Sequence, residues 1–362
     1  MKISYLSCDI CGFKGKNPTE HQHKELEIGG VPMNIWTLVY SLPKSLKLND
    51  YCKGIARYKE YIPFEIRENV VDEECNTPMI KLKENIFLKD ESQNPTHSFK
   101  DRGIVMLVSD ALKAGKKKIA IPSTGNAAIS LGYYANKAGL ESIVFIPEDT
   151  ALSKKEQIKK RSTIIYDKDL VKSYEHFFDF CRTDDSVYNG FPVTNLPYAQ
   201  GIKTISYEIF LQMGDVPEWI IIPVGSGGNV VAQYNGFKDL INMGLTDKIP
   251  RFATVQIKGA DPITLGYQTK QYDDIILIED SIKSKAEAIA SDTCFNYFKI
   301  MSILNETRGI AISVTDKDIE ENQHARWLEF SSQSIFPALD MLINNTNKKD
   351  TIVLVGTAID RG

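Results

Sequence analysis

The residue best placed for covalent chemistry is Lys100, within Asn94-Pro-Thr-His-Ser-Phe-Lys100-Asp-Arg-Gly103. It follows a turn rich in hydroxyl groups. It opens a stretch with helical apolar spacing at Ile104, Leu107, Val108, Ala111 and Leu112. An ammonium at a helix start opposes the positive end of the helix dipole. Partial desolvation there favours the neutral amine, the form that adds to a carbonyl carbon and forms an imine. A second segment, Pro122-Ser-Thr-Gly-Asn-Ala-Ala128, lies between strand-like and helix-like stretches. Its glycine turn, hydroxyl pair and helix-start N–H groups suit a carboxylate. A third, Ile222-Pro-Val-Gly-Ser-Gly-Gly-Asn-Val230, leads into a helical pattern at Val230, Val231, Tyr234 and Phe237. Its glycines let the backbone close around a phosphate. The spacing fits neither G-x-G-x-x-G nor the Walker lysine pattern.

Cys8 and Cys11 form a C-x-x-C pair, the spacing of half a zinc ribbon. A closed metal site needs four ligands, and no second C-x-x-C follows. Cys52, Cys75, His21 and His23 could complete it but stand at no ribbon spacing, so the pair reads as one that has lost its metal, with zinc on Cys8 and Cys11 the lesser alternative. Six cysteines in 362 residues are no disulfide framework.

Elements that must hold these residues follow from hydrophobic periodicity. Residues 80–91 alternate like two strands around a turn at Glu84-Asn85. Helix is expected over 101–114, 127–138, 153–160 and 170–183. Buried strand is expected at 117–124, 141–148, 163–167, 219–225, 251–257, 309–314 and 351–356. This alternation predicts a doubly wound α/β chain from about residue 55, its parallel sheet covered on both faces. Residues 1–54 read as irregular.

The three segments, in this order, resemble the fold-type II pyridoxal-phosphate enzymes, and among them the threonine-synthase branch. That branch's lysine motif reads NPTGSFKDRG; here it is NPTHSFKDRG, with His97 in place of the glycine. The likeness runs with gaps from about Ile55 to Val355. It implies two doubly wound α/β domains, 55–103 with 205–362 and 104–204, holding pyridoxal 5'-phosphate in the cleft between them. It implies that Lys100 is the catalytic Schiff-base lysine and the proton carrier. Ser123, Thr124 and Gly125 would take the carboxylate of a small amino-acid substrate, and Asn126 the cofactor's ring hydroxyl. Gly225, Ser226, Gly227, Gly228 and Asn229 would cradle its phosphate. Thr357, taken over Val355, would face the pyridine nitrogen. His97 would either border the substrate, narrowing its site or giving a proton, or be merely tolerated. The implied activity is conversion of O-phosphohomoserine to threonine by elimination and hydration, and a homodimer is common among such enzymes.

The likeness thins where the substrate's phosphate would be held. A threonine expected after Asn126 is Ala127; in 191–204 Asn195 remains but the arginine is gone; 288–298 and 329–337 are likewise altered. Each charge-assisted bond lost this way is worth roughly 1.5–3 kcal/mol. Lys203 and Arg102 are the candidate replacements. The alternatives are therefore a sister replacement or elimination enzyme (cysteate-synthase-like, diaminopropionate-synthase-like, or a serine/threonine dehydratase) and a silent paralogue.

Composition excludes other classes. A net charge of -4 gives no reason to expect nucleic acid or an anionic membrane, and the densest basic run, 113–120, reads as a solvated turn. No run of about 18 apolar residues would span a bilayer. The first residues lack the apolar core of a secretion signal, so a cytoplasmic location is expected.

Overall fold

The computed structural model describes every residue except 1–2, 17–20, 22, 24–25, 29–30, 280–281, 323, 345 and 362. These divide into two compact units. One comprises Met1–Pro43, Lys47–Cys75 and Asn94–Ile202; the other Lys44–Leu46, Asn76–Gln93 and Lys203–Gly362. The boundaries expected from sequence, at 103/104 and 204/205, differ from these. Residues 94–103 cluster with the first unit because the helix Lys100–Lys113 packs along the helix Leu196–Ile202.

The first unit is built on four parallel strands, ordered Thr163–Asp167, Glu141–Pro147, Lys118–Pro122, Val187–Asn189. Lys118–Pro122 and Glu141–Pro147 are buried along nearly their whole length, as Ile- and Val-rich strands covered on both faces should be. Helices Lys100–Lys113, Asn126–Lys137 and Leu170–Thr183 match the expected periodicity to within about a residue at each end. The first of these ends where expected: Gly115, at φ 69°, and Lys116 bond back to the carbonyls of Leu112 and Ala111. Among the described residues of the first 54, short stretches form sheet. Strand Ile3–Cys8 pairs antiparallel with both Lys14–Gly15 and Trp36–Tyr40, and Glu27–Ile28 pairs with Val31–Pro32. Ile3–Cys8 and Trp36–Tyr40 are mostly half-buried, with neither an unbroken apolar run nor a clean apolar–polar alternation to be read from sequence.

The second unit holds a six-stranded sheet ordered Ile310–Val314, Arg251–Ile257, Trp219–Pro223, Ile352–Gly356, Ile86–Asp90, Met79–Lys83. All neighbours are parallel except the last pair, the expected hairpin. Its core packs Ile221, Val255, Val314, Leu354 and Leu88 against Leu328, Ile335 and Leu342. Beside this sheet, from Ile86–Asp90, lies a buried ion pair: Lys89 Nζ lies 2.7 Å from Glu208 Oε2 and also donates to Gln212 and the Thr77 carbonyl. Glu208 in turn accepts the N–H groups of Asn76 and Thr77. Satisfying both charges is what makes burying them tolerable.

Candidate functional site

In the first unit, Lys100 is the first residue of its helix and half-buried. Its Nζ lies 4.5 Å from the Phe99 ring centroid and 6.0 Å from that of Tyr198. An amine against two aromatic rings has less water around it than one on an open surface. The preceding turn is fixed through Asp101. This fully buried carboxylate accepts from the Thr96 N–H at 2.6 Å, from the Thr96 hydroxyl, and from Ser130 Oγ at 2.5 Å. Burial pushes the Asp101 carboxyl up to about 6, against the pull of those bonds. The acid beside Lys100 thus ties the motif turn to the helix Asn126–Lys137.

His97 has its backbone at φ 61°, the left-handed region, and its side chain is exposed. That region explains the family's glycine at this position. A non-glycine residue held there costs about 1–2 kcal/mol. Gly103, at the other end of the motif, is required by contact: a Cβ there would stand 2.5 Å from the Tyr198 ring.

Ser123, Thr124, Gly125 and Asn126 form the turn from the strand Lys118–Pro122 into the helix that Asn126 opens, all half-buried. No atom lies within 4 Å of a Cβ built on Gly125. The space beside the turn, together with the N–H groups of a helix start, is what an anion needs. Ala127 beneath it is 6% exposed and brings no polar group.

In the second unit, Gly225–Gly227 joins the strand Trp219–Pro223 to the helix Gly228–Met243. Gly227 caps that helix at φ 84°, and a Cβ on it would stand 2.5 Å from Ile300 Cδ1; one on Gly225 would stand 2.4 Å from the Ala288 carbonyl. Glycine is demanded here by backbone shape and by close packing. The Asn296 side chain holds the loop by donating to the Ser226 carbonyl at 2.7 Å. The helical ladder begins with the Val231 N–H on the Gly227 carbonyl, which leaves the N–H groups of the first turn facing outward. Asn229 Nδ2 is buried without a hydrogen-bond partner.

Thr357 follows the neighbouring strand Ile352–Gly356, which runs parallel to Trp219–Pro223. It therefore emerges at the same sheet end as the glycine loop, where open α/β sheets take their ligands. Val355 lies within the strand, fully buried. The Thr357 hydroxyl meets Ser332 Oγ at 2.5 Å, and Ser332 also accepts the Ala358 N–H. Sequence reasoning misses both Ser332 and Tyr198. Ser332 lies in a stretch that departs from the family pattern, and the aromatic neighbour of Lys100 is 98 residues away along the chain.

Taken unit by unit, the chemistry suits pyridoxal phosphate: the first offers an amine for its aldehyde, and the second a glycine-shaped N–H cradle for a phosphate and a neutral hydroxyl for a ring nitrogen. The buried unpartnered Ser98 Oγ and Asn229 Nδ2 are donors to spare. The two cations named as replacement phosphate ligands fit less well. Lys203 is buried, bonded to Asp239 at 2.8 Å, and its ammonium is disfavoured by burial. Arg102 is fully buried.

Comparisons with known proteins agree with the sheet and loop pattern. A family described as "Pyridoxal-phosphate dependent enzyme" matches residues 70–357. The threonine synthase of Methanosarcina acetivorans is 34% identical over 285 residues, 75% of this chain and 69% of that protein. The threonine synthase of Synechocystis is 32% identical, over 74% of this chain and 70% of its own. Among solved structures, a fungal L-serine ammonia-lyase from Rhizomucor miehei superposes with a TM-score of 0.65 at 20% identity, covering 79% of this chain and 95% of that one. Maize serine racemase gives 0.67 at 18%, covering 79% and 89%. At such identities the structural likeness speaks for the fold alone.

Proposed function

The chain belongs to the family of pyridoxal-phosphate-dependent enzymes, and from that premise we propose that it is a threonine-synthase-like lyase acting on a small phosphorylated amino acid. The observation that carries the reading is the Lys100 motif, intact but for His97 and braced by Asp101. Bound pyridoxal phosphate supplies an electron sink for negative charge at the substrate's α-carbon.

The chain's own residues do the rest. Lys100 would hold the cofactor, and its amine would take and return protons at the substrate's α- and β-carbons. The Ser123–Gly125 turn orients the substrate carboxylate, and Asn126 bonds the cofactor's ring hydroxyl. Gly225–Asn229 binds its phosphate by N–H groups and helix dipole. Thr357, paired with Ser332, would offer the ring nitrogen a hydroxyl that carries no charge. A neutral partner leaves that nitrogen unprotonated, which favours elimination and replacement.

One observation favours a second reading. Ala127 is apolar, Lys203 is committed to Asp239, and the family's arginine is absent, so the substrate-phosphate grip is thin. The alternative is a sister elimination or replacement enzyme using an unphosphorylated or differently activated amino acid. Turnover measured in parallel on O-phosphohomoserine, O-phosphoserine, serine and threonine separates the two. Release of phosphate and threonine from O-phosphohomoserine at the highest kcat/KM supports the first reading. Turnover confined to another substrate replaces it with the second.

A further inference from the structure

Four metal-ligating side chains outside the cofactor residues converge at the N-terminal sheet. The ligand atoms of Cys8, Cys11, His21 and His23 all lie within 4.8 Å of one another. His21 Nε2 stands 3.1 Å from Cys11 Sγ and 3.0 Å from His23 Nε2. Around a tetrahedral zinc ion, with Zn–N near 2.0–2.1 Å and Zn–S near 2.3 Å, neighbouring ligand atoms stand about 3.3–3.8 Å apart. The observed separations bracket that range. A single proton shared between two imidazoles would satisfy one contact and leave the thiols aside, whereas one cation satisfies all four.

The backbone is shaped for this arrangement. Cys8 ends the strand Ile3–Cys8 and is 1% exposed. Its N–H bonds the Phe13 carbonyl at 2.8 Å, and its carbonyl accepts the Gly12 N–H at 2.9 Å. Gly12 sits at φ 74°, so the chain curls tightly around the C-x-x-C pair. Phe13 stacks on the His21 ring at 4.7 Å, and Trp36, opposite Cys8 in the sheet, meets that ring edge-on at 6.1 Å. The imidazole is thus held in orientation before any ion arrives. Ribbon spacing leaves Cys8 and Cys11 as weak zinc candidates, for want of a second C-x-x-C. The fold supplies two histidines in its place, at a spacing that no ribbon pattern anticipates.

We propose that Cys8, Cys11, His21 and His23 bind one zinc ion per chain. Two thiolates and two imidazoles in tetrahedral reach select zinc over oxygen-seeking cations. Four protein ligands leave no open position, so the site is structural: it ties His21 and His23 to the three-stranded sheet. Because the unfolded segment has no preformed site, metal affinity becomes folding energy of this sheet.

The test is metal analysis of the full-length holoenzyme, loaded with zinc and desalted, beside Cys11→Ser, His21→Ala and Cys52→Ser variants. One zinc per chain is expected in the unmodified protein and in Cys52→Ser. A loss of at least tenfold is expected in the other two, with the visible absorbance of the bound cofactor retained as the sign that they fold. Cobalt in place of zinc gives a second readout that needs no variant. Intense tetrahedral ligand-field bands with thiolate charge transfer support the site. Weak octahedral bands, or an unmodified protein with less than a tenth of an equivalent of zinc, overturn it.

Discussion

At Lys100 the chemistry depends on a neighbour that never reacts. Asp101 is fully buried and accepts from Thr96 and Ser130, yet desolvation still raises its carboxyl to about 6 from 3.8. A carboxyl raised in the folded state binds more protons there than in the unfolded chain. It therefore costs nothing below about pH 4, and its cost grows as pH rises towards 6 and then levels off. Replacing Asp101 by Asn removes that cost together with some hydrogen bonding, the latter equally at every pH. Relative to wild type, Asp101→Asn should gain about 2–3 kcal/mol of stability between pH 4 and pH 7, measured as denaturation midpoints across the range. A pH-independent difference would mean that Asp101 does not titrate there. His97 occupies a glycine's backbone conformation with its side chain exposed, and nothing in the structure explains the histidine there.

Among elements, the close approach of Lys100–Lys113 to Leu196–Ile202 sets where Lys100 points. Gly103 makes that approach possible, and an added methyl would meet the Tyr198 ring at 2.5 Å. Gly103→Ala should cost about 1–3 kcal/mol by overpacking, seen as a lowered denaturant midpoint. It should also weaken cofactor binding, because Tyr198 lies against the Lys100 amine. Gly227→Ala should act differently. Its φ of 84° and its contact with Ile300 both resist a Cβ, so the cradle must distort. Cofactor affinity, followed by titration of the apo-protein, should fall at least tenfold; unchanged affinity would remove the loop from the phosphate.

For the whole molecule, the strand–helix alternation was legible because parallel strands buried on both faces carry unbroken Ile and Val runs, as in Trp219–Pro223 and Glu141–Pro147. The three loops were legible because each needs glycine or a hydroxyl beside a helix start. What could not be read was held together by distant contacts: Tyr198 against Gly103, Ser332 against Thr357, and the choice of His21 and His23 over Cys52 and Cys75 as neighbours of Cys8 and Cys11. None of these pairs has a sequence period, since tertiary packing alone brings them within reach. The N-terminal sheet was missed because its strands are half-buried along most of their length and carry no clean apolar pattern.

Everything in the functional reading turns on which lysine carries the cofactor. Borohydride reduction of the pyridoxal-phosphate-loaded protein, followed by proteolysis and mass spectrometry, fixes the group to its lysine and locates it. The expected result is a single phosphopyridoxyl peptide containing Lys100, absent from a Lys100→Ala variant. Label on another lysine, or none on the loaded wild type, would contradict the account.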